Sequence, residues 1–157
     1  MQTLVIGDIH GCYYELQTLL EKACLVTGDS IIAVGDIVDR GPETPQVLDF
    51  FQQMPNARAL MGNHERKHVR GARHEVKLAL SQLISQQQFG DAYPDAVAWM
   101  STLPLYIELA EAVIVHGYLE PGIPLAEQNP SVVCGTMGGD KILREHYERP
   151  WYEYHTG

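Results

Sequence analysis

Three stretches of the chain share one arrangement of apolar and polar positions. TLVIGD (3–8), IIAVGD (31–36) and ARALMGN (57–63) are short apolar runs closed by Gly and then Asp or Asn. Apolar runs of this length describe buried parallel strands, and the Gly lets the chain turn sharply at the strand end. Between the first two, YYELQTLLEKACL puts Tyr13, Leu16, Leu19, Leu20, Ala23 and Cys24 on one helical stripe. Between the second and third, TPQVLDFFQQM offers Thr44 as a cap and Pro45 at the first helical position. The predicted order is β-α-β-α-β, and right-handed crossovers make the sheet parallel.

A mainly helical stretch follows over 65–103, in which SQLISQQQFG (81–90) reads as a helix end and exposed turn. LYIELAEAVIVHG (105–117) then reads as two strands joined by a tight turn near Ala110 and Glu111. No repeat or long linker interrupts the chain, so residues 1–157 are expected to form one domain. Asp8, Asp36 and Asn63 lie 28 and 27 residues apart, about one βα unit each. They should therefore emerge at the same carboxyl edge of the sheet, where open α/β folds bind ligands. His116 ends a further strand and is again followed by Gly.

Composition narrows the classes. Hydrophobic residues at 45% and charged residues at 20% describe an ordinary globular chain. Eleven basic against twenty acidic side chains give a net charge of −9, which argues against nucleic acid as a partner. No apolar segment approaches membrane-spanning length, and no charged leader opens the chain. Three sparse cysteines, Cys12, Cys24 and Cys134, lack metal-site spacing and fit a reducing compartment, so a cytoplasmic location is expected. Nothing in the pattern sets an oligomeric state.

The residues expected at the sheet edge are Asp8, His10, Asp36, Asn63 and His116. Carboxylate, imidazole and amide oxygen together suit divalent Mn, Fe or Zn, and a central Asp36 can bridge two ions. Paired ions activate water and steady both oxygens of a phosphoryl displacement. Arg40 offers a planar fork to phosphate oxygens. His64, beside Asn63, has Asp39 available to hold it charged as a proton donor to the leaving group. Singly, each has a plainer reading: Asp8 as a helix cap, Arg40 as a surface cation, His116 as a structural ring. Their joint occurrence at matching strand ends favours the site.

GDIHG (7–11), GDIVDRG (35–41), GNHE (62–65) and VHG (115–117) resemble the successive blocks of the calcineurin-like metallophosphoesterases. The DRG ending looks like the phosphoprotein-phosphatase branch, which includes bacterial serine/threonine phosphatases and symmetrical diadenosine tetraphosphatases. The resemblance implies an α/β fold of two packed β-sheets flanked by helices. It implies one metal on Asp8, His10 and Asp36 and another on Asp36, Asn63 and His116, most simply manganese. It further implies attack by a metal-activated hydroxide, phosphate held by Arg40 and Asn63, and protonation of the leaving group by His64 paired with Asp39. The substrate it points to first is a phosphorylated protein, with a dinucleoside polyphosphate as the alternative. The family also supplies a late histidine from a Gly-His pair, and none follows residue 117 here. His155, preceded by Tyr, is the remaining late candidate, and the chain is expected to stop before that last ligand, leaving activity in doubt.

Two rivals stand beside this reading. HERKHVRGARH (64–74) also matches the metzincin zinc pattern, with His64, His68 and His74 as ligands and Glu65 as base. That leaves Asp8, His10, Asp36, Asp39 and His116 without purpose, and the basic run Arg66, Lys67, Arg70 and Arg73 reads as a solvated helix. His68 and His74 are accordingly expected to be exposed. A metal- or phosphate-binding module without turnover is the other rival. Substrate choice is expected to rest on the loops at 66–103 and 117–139, and Arg144 and Arg149 are expected at the surface.

Overall fold

Parallel pairing of three short strands builds the frame that carries the site. In this computed structural model, which describes residues 2–154, β1 (Thr3–Ile6), β2 (Ser30–Ala33) and β3 (Ala57–Ala59) form one sheet in the order β1-β2-β3. Thr3 pairs with Ser30 and Ile31 with Ala57, so β2 is central and Asp36 follows the middle strand. The crossovers are α1 (Tyr13–Ala23) and α2 (Thr44–Gln53).

Alternation along β2 divides the core. Ile31 and Ala33 face a helical layer with Leu16, Val47, Leu48 and Phe51. Ile32 points the other way and packs with Leu60, Ile107 and Ile114. The last two come from β4 (Tyr106–Glu108) and β5 (Val113–Val115), an antiparallel pair in which Ile107 faces Ile114. The result is two packed sheets flanked by helices, as expected. The turn between β4 and β5 is closed by the Leu109 amide donating to the Ala112 carbonyl at 2.8 Å.

Between β3 and β4 run α3 (Asn63–Ala72), α4 (Leu80–Phe89) and α5 (Tyr93–Met100), and α6 (Pro130–Val133) and α7 (Met137–His146) follow β5. Several local expectations are corrected. Thr44 is not the cap of α2 but its first residue, with Glu43 as cap and Pro45 second. Leu19 and Cys24 are exposed, so the buried face of α1 centres on Leu16. The Gln-rich stretch is no exposed turn: it forms α4 and buries Gln82 and Ser85. No helix among the described residues is long and apolar enough to cross a membrane.

Ile32 is wholly excluded from solvent where the sheets meet. Ile32→Ala should cost about 3 kcal/mol, read from the shift of a urea unfolding curve at constant slope. A cost below about 1 kcal/mol would mean the sheets are loosely packed there.

Candidate metal centre

Two glycines let the site-bearing loops close on one another. A Cβ on Gly62 would collide with Asp36 Oδ1, and one on Gly41 with the His10 carbonyl. The Gly41 amide donates to that carbonyl at 2.8 Å, interlocking the first and second blocks. Among the described residues six non-glycine residues have positive φ, and four of them are His10 (49°), Asp36 (49°), Asp39 (71°) and Arg40 (68°). Each such residue costs of order 1–3 kcal/mol and persists only where its surroundings over-determine it.

The fixing element here is Glu65. Its Oε2 accepts from the Asp36 and Gly62 amides, both at 2.9 Å. Its Oε1 accepts from Ile37 at 2.9 Å and Val38 at 3.2 Å. Burial, with the Asp36 carboxylate beside it, pushes the Glu65 carboxyl up to about 7 against the pull of these amides. A side chain bound this way cannot serve as a solvent-facing base, which removes the metzincin reading of Glu65.

Around Asp36 the expected ligands converge. His10 Nδ1 donates to the Val38 carbonyl at 2.9 Å, which leaves Nε2 with the lone pair. That Nε2 is buried without a hydrogen-bond partner, 3.7 Å from Asp8 Oδ2 and 3.8 Å from Asp36 Oδ2. His116 Nδ1 is likewise turned to a carbonyl, that of Val34 at 3.2 Å. Its Nε2 then faces Asn63 Oδ1 at 3.2 Å and Asp36 Oδ2 at 3.5 Å. Acceptors facing acceptors are reconciled by a cation or a proton between them. Ligand atoms sharing one ion ~2.1 Å away sit ~3.0–3.4 Å apart, so these separations fit a divalent metal after slight contraction. Asp8 stands half exposed at the open side, consistent with a ligand that water also reaches.

Among the described residues His10, Asp36 and His64 form a donor group whose ligand atoms lie within 4.8 Å of one another. Both nitrogens of His64 are, however, already engaged. Nδ1 donates to Asp39 Oδ2 at 2.6 Å, and Nε2 accepts from Arg40 Nη2 at 3.1 Å. Burial alone would lower the His64 pKa, but the Asp39 bond and the Asp36 carboxylate outweigh it and raise it. Burial would likewise raise Asp39, yet bonds from His64 and His68 hold its carboxyl well below the usual carboxylate range. The expected pairing of His64 with Asp39 is present, with Arg40 exposed at the rim.

His68 corrects the sequence reading. It is fully buried, its Nε2 donating to Asp39 Oδ1 at 2.8 Å and its Nδ1 accepting from Tyr93 Oη at 2.9 Å. Gln82 also donates to Asp39, its amide oriented because Oε1 accepts from Ala79 at 3.2 Å. His74 is exposed, as expected, and lies beyond the end of α3. Arg144 pairs with Asp140 and Arg149 lies over Tyr154, both as surface groups. His155 lies outside the described residues. The roles of Glu65, His68, Gln82 and Tyr93 were missed. The i, i+4 spacing of His64 and His68 was the available signal, and it was credited to the wrong chemistry.

This fold gathers acidic and imidazole donors at the strand ends. The chain belongs to the calcineurin-like phosphoesterase family, whose model matches residues 1–154. It is 33% identical over 151 residues to the symmetrical bis(5'-nucleosyl)-tetraphosphatase of Erwinia tasmaniensis, covering 89% of this chain and 53% of that protein. The enzyme of the same name from Photorhabdus laumondii is 38% identical over 115 residues, 67% of this chain and 39% of that one. The chain thus spans about half or less of these curated relatives. Among solved structures, a candidate diadenosine tetraphosphatase matches with a TM-score of 0.74 at 23% identity, over 99% of this chain and 70% of that one. A Saccharomyces cerevisiae protein serine/threonine phosphatase matches at 0.60 and 21%, over 80% and 41%. Both structural likenesses concern the fold.

Two outcomes follow from this geometry. Adding Mn²⁺ at about a hundred times its Kd should stabilise the protein by about 2.7 kcal/mol in thermal unfolding, and Asp36→Asn should abolish that gain. His68→Ala, which strands Asp39 and Tyr93, should cost about 3 kcal/mol in urea unfolding, against about 0.5 kcal/mol or less for His74→Ala. Equal costs would mean that the buried network is not held together by His68.

Proposed function

We propose that this protein hydrolyses phosphate esters and anhydrides with the help of two divalent ions, and that its substrate is a dinucleoside tetraphosphate cut symmetrically. The observation that carries the proposal is the meeting of His10, His116 and Asn63 acceptor atoms around Asp36, with His10 Nε2 buried and unpartnered. Asp8, His10 and Asp36 would hold one ion and Asp36, Asn63 and His116 the other. Manganese is our first choice for this mixed donor set, ahead of iron or zinc. When bound, the ions supply an activated water and neutralise charge on the phosphoryl group.

The chain's own residues supply the rest. Arg40 and the Asn63 amide grip phosphate oxygens. As Arg40 turns to the substrate it releases His64 Nε2, which can then carry a proton. Water oxygen bonds to phosphorus, and the bridging P–O bond breaks with its electron pair on the leaving oxygen. His64 protonates that oxygen and recovers its proton from the attacking water. Asp39 keeps the ring's Nδ1 proton in place, so the transferred proton sits on Nε2.

Hydrolysis of a phosphorylated protein, the first choice from sequence, would use the same centre. The relatives named for symmetrical tetraphosphate cleavage at 33% and 38% identity favour the anhydride instead. The test is turnover of p-nitrophenyl phosphate, a bis(5'-nucleosyl) tetraphosphate and a phosphoserine peptide with Mn²⁺, by wild type and Asp36→Asn. We expect the tetraphosphate to give two nucleoside diphosphates with the highest kcat/KM, and the variant to lose turnover of all three. Binding of Mn²⁺ without hydrolysis would favour the non-catalytic module. His64→Ala should lower kcat about 10²–10⁴-fold for the peptide, whose alkoxide needs the proton, and markedly less for p-nitrophenyl phosphate. A uniform loss would remove the acid role.

A further inference from the structure

A cavity of about 460 Å³ opens beside the metal centre, between α3 and the start of α7. Such a volume lies in the ~300–1,000 Å³ range of small-molecule sites. Its wall includes Arg66, Lys67 and Arg70, and no carboxylate among the described residues lines it. That is unexpected in a chain with twenty acidic and eleven basic residues. Glu75 pairs with Arg70 at 2.9 Å, but no carboxylate among the described residues lies in salt-bridge range of Arg66 or Lys67.

The cavity and the centre share walls. Asn63 lines it and also faces His116 Nε2 at 3.2 Å. Gly135 lines it too, and its backbone runs against the His116 ring. On the far side stands the first turn of the ten-residue α7. Thr136 Oγ1 accepts from the Gly139 amide at 3.0 Å, while the Met137 and Gly138 amides meet no acceptor among the described residues. Free amides at a helix start add to the pull on an anion. Met137, 90% exposed, gives the rim one apolar surface.

We infer that this cleft is the subsite for the remainder of a nucleoside polyphosphate, an inference that rests on the proposed hydrolytic centre. Arg66, Lys67 and Arg70 take phosphates beyond the one under attack, and Met137 lies against the nucleoside. Two uncompensated cations and open amides suit a contiguous run of phosphates better than the scattered carboxylates of a peptide.

The test compares wild type with an Arg66→Ala/Lys67→Ala variant. The ratio of kcat/KM for bis(5'-adenosyl) tetraphosphate to that for p-nitrophenyl phosphate should fall at least about tenfold. Inorganic tripolyphosphate should inhibit p-nitrophenyl phosphate hydrolysis more strongly than orthophosphate, and lose at least about tenfold in potency in the variant. Arg66→Lys should restore part of both. Met137→Ser should raise KM for the adenosyl substrate while leaving tripolyphosphate inhibition as it was. An unchanged ratio with unchanged inhibition overturns the inference, as does a larger loss on a phosphoserine peptide than on the tetraphosphate. If the wild type hydrolyses nothing, the proposed centre fails, and calorimetric titration of tripolyphosphate decides the cleft separately. Binding at least about tenfold weaker in the variant then sustains it, and equal binding overturns it.

Discussion

Four backbone amides donate to one buried carboxylate, and most of the site depends on that arrangement. Glu65 reaches from the first turn of α3 to Asp36, Ile37 and Val38 on one loop and to Gly62 on another. A neutral side chain of the same shape would accept fewer of these bonds and would leave buried amides unpaired, at about 1–3 kcal/mol for each. The loop it holds carries Asp36 and Asp39 in left-handed backbone conformations that L-residues adopt at a cost. The bonds to Glu65 therefore offset the strain of the loop that aims the Asp36 carboxylate at the neighbouring imidazoles.

The same economy shows in how the imidazoles are set. His10 and His116 each spend Nδ1 on a backbone carbonyl, Val38 and Val34, so their Nε2 atoms face Asp36 as acceptors. His64 is set the other way, by a carboxylate. A ring whose Nδ1 is held by a carbonyl turns the lone pair of Nε2 outward and suits metal binding; a ring held by Asp39 gains basicity and suits proton transfer. The partner of a single nitrogen thus suits the three histidines of one cleft to the two roles proposed for them. That bond contributes both to the low position of Asp39, which His68 lowers further, and to the raised position of His64, to which the Asp36 carboxylate adds.

Much of this was legible in the chain. The Gly-Asp and Gly-Asn endings marked strand termini because a sharp turn favours Gly: β1 ends directly before Gly7, while β2 and β3 end at Ala33 and Ala59, shortly before Gly35 and Gly62. Asp8, His10, Asp36 and Asn63 followed from topology, since parallel strands put successive carboxyl ends on one edge, whereas His116, after a strand of the antiparallel pair, was marked by its place at a strand end before Gly. The second sheet was legible as a hairpin, while its packing on Ile32 came only through the family resemblance. Gln82 was not legible. Nothing in a glutamine-rich run says which amide will be buried, because burial there is decided by how α4 meets Asp39, 43 residues away in sequence. His68 failed for a different reason: polar neighbours at 66, 67 and 70 suggested a solvated helix, and one face was mistaken for the whole.

That helix has two faces with opposite assignments. His64, Glu65, His68 and Val69 project to one side and are buried, while Asn63, Arg66, Lys67 and Arg70 line the cavity on the other. The spacing that mimics a zinc-protease helix serves the inward face, where the i, i+4 pair of imidazoles grips both oxygens of Asp39. Zinc bound by those rings would have to displace a carboxylate already held by two imidazoles and an amide. The outward face cannot turn inward either, for the cations would then enter the apolar layer around Val69 and Met100. Rotation of α3 is thereby fixed from both sides. Asn63, at its first turn, is placed on the cationic face yet within reach of His116, so one residue joins the proposed hydrolytic centre to the cleft beside it.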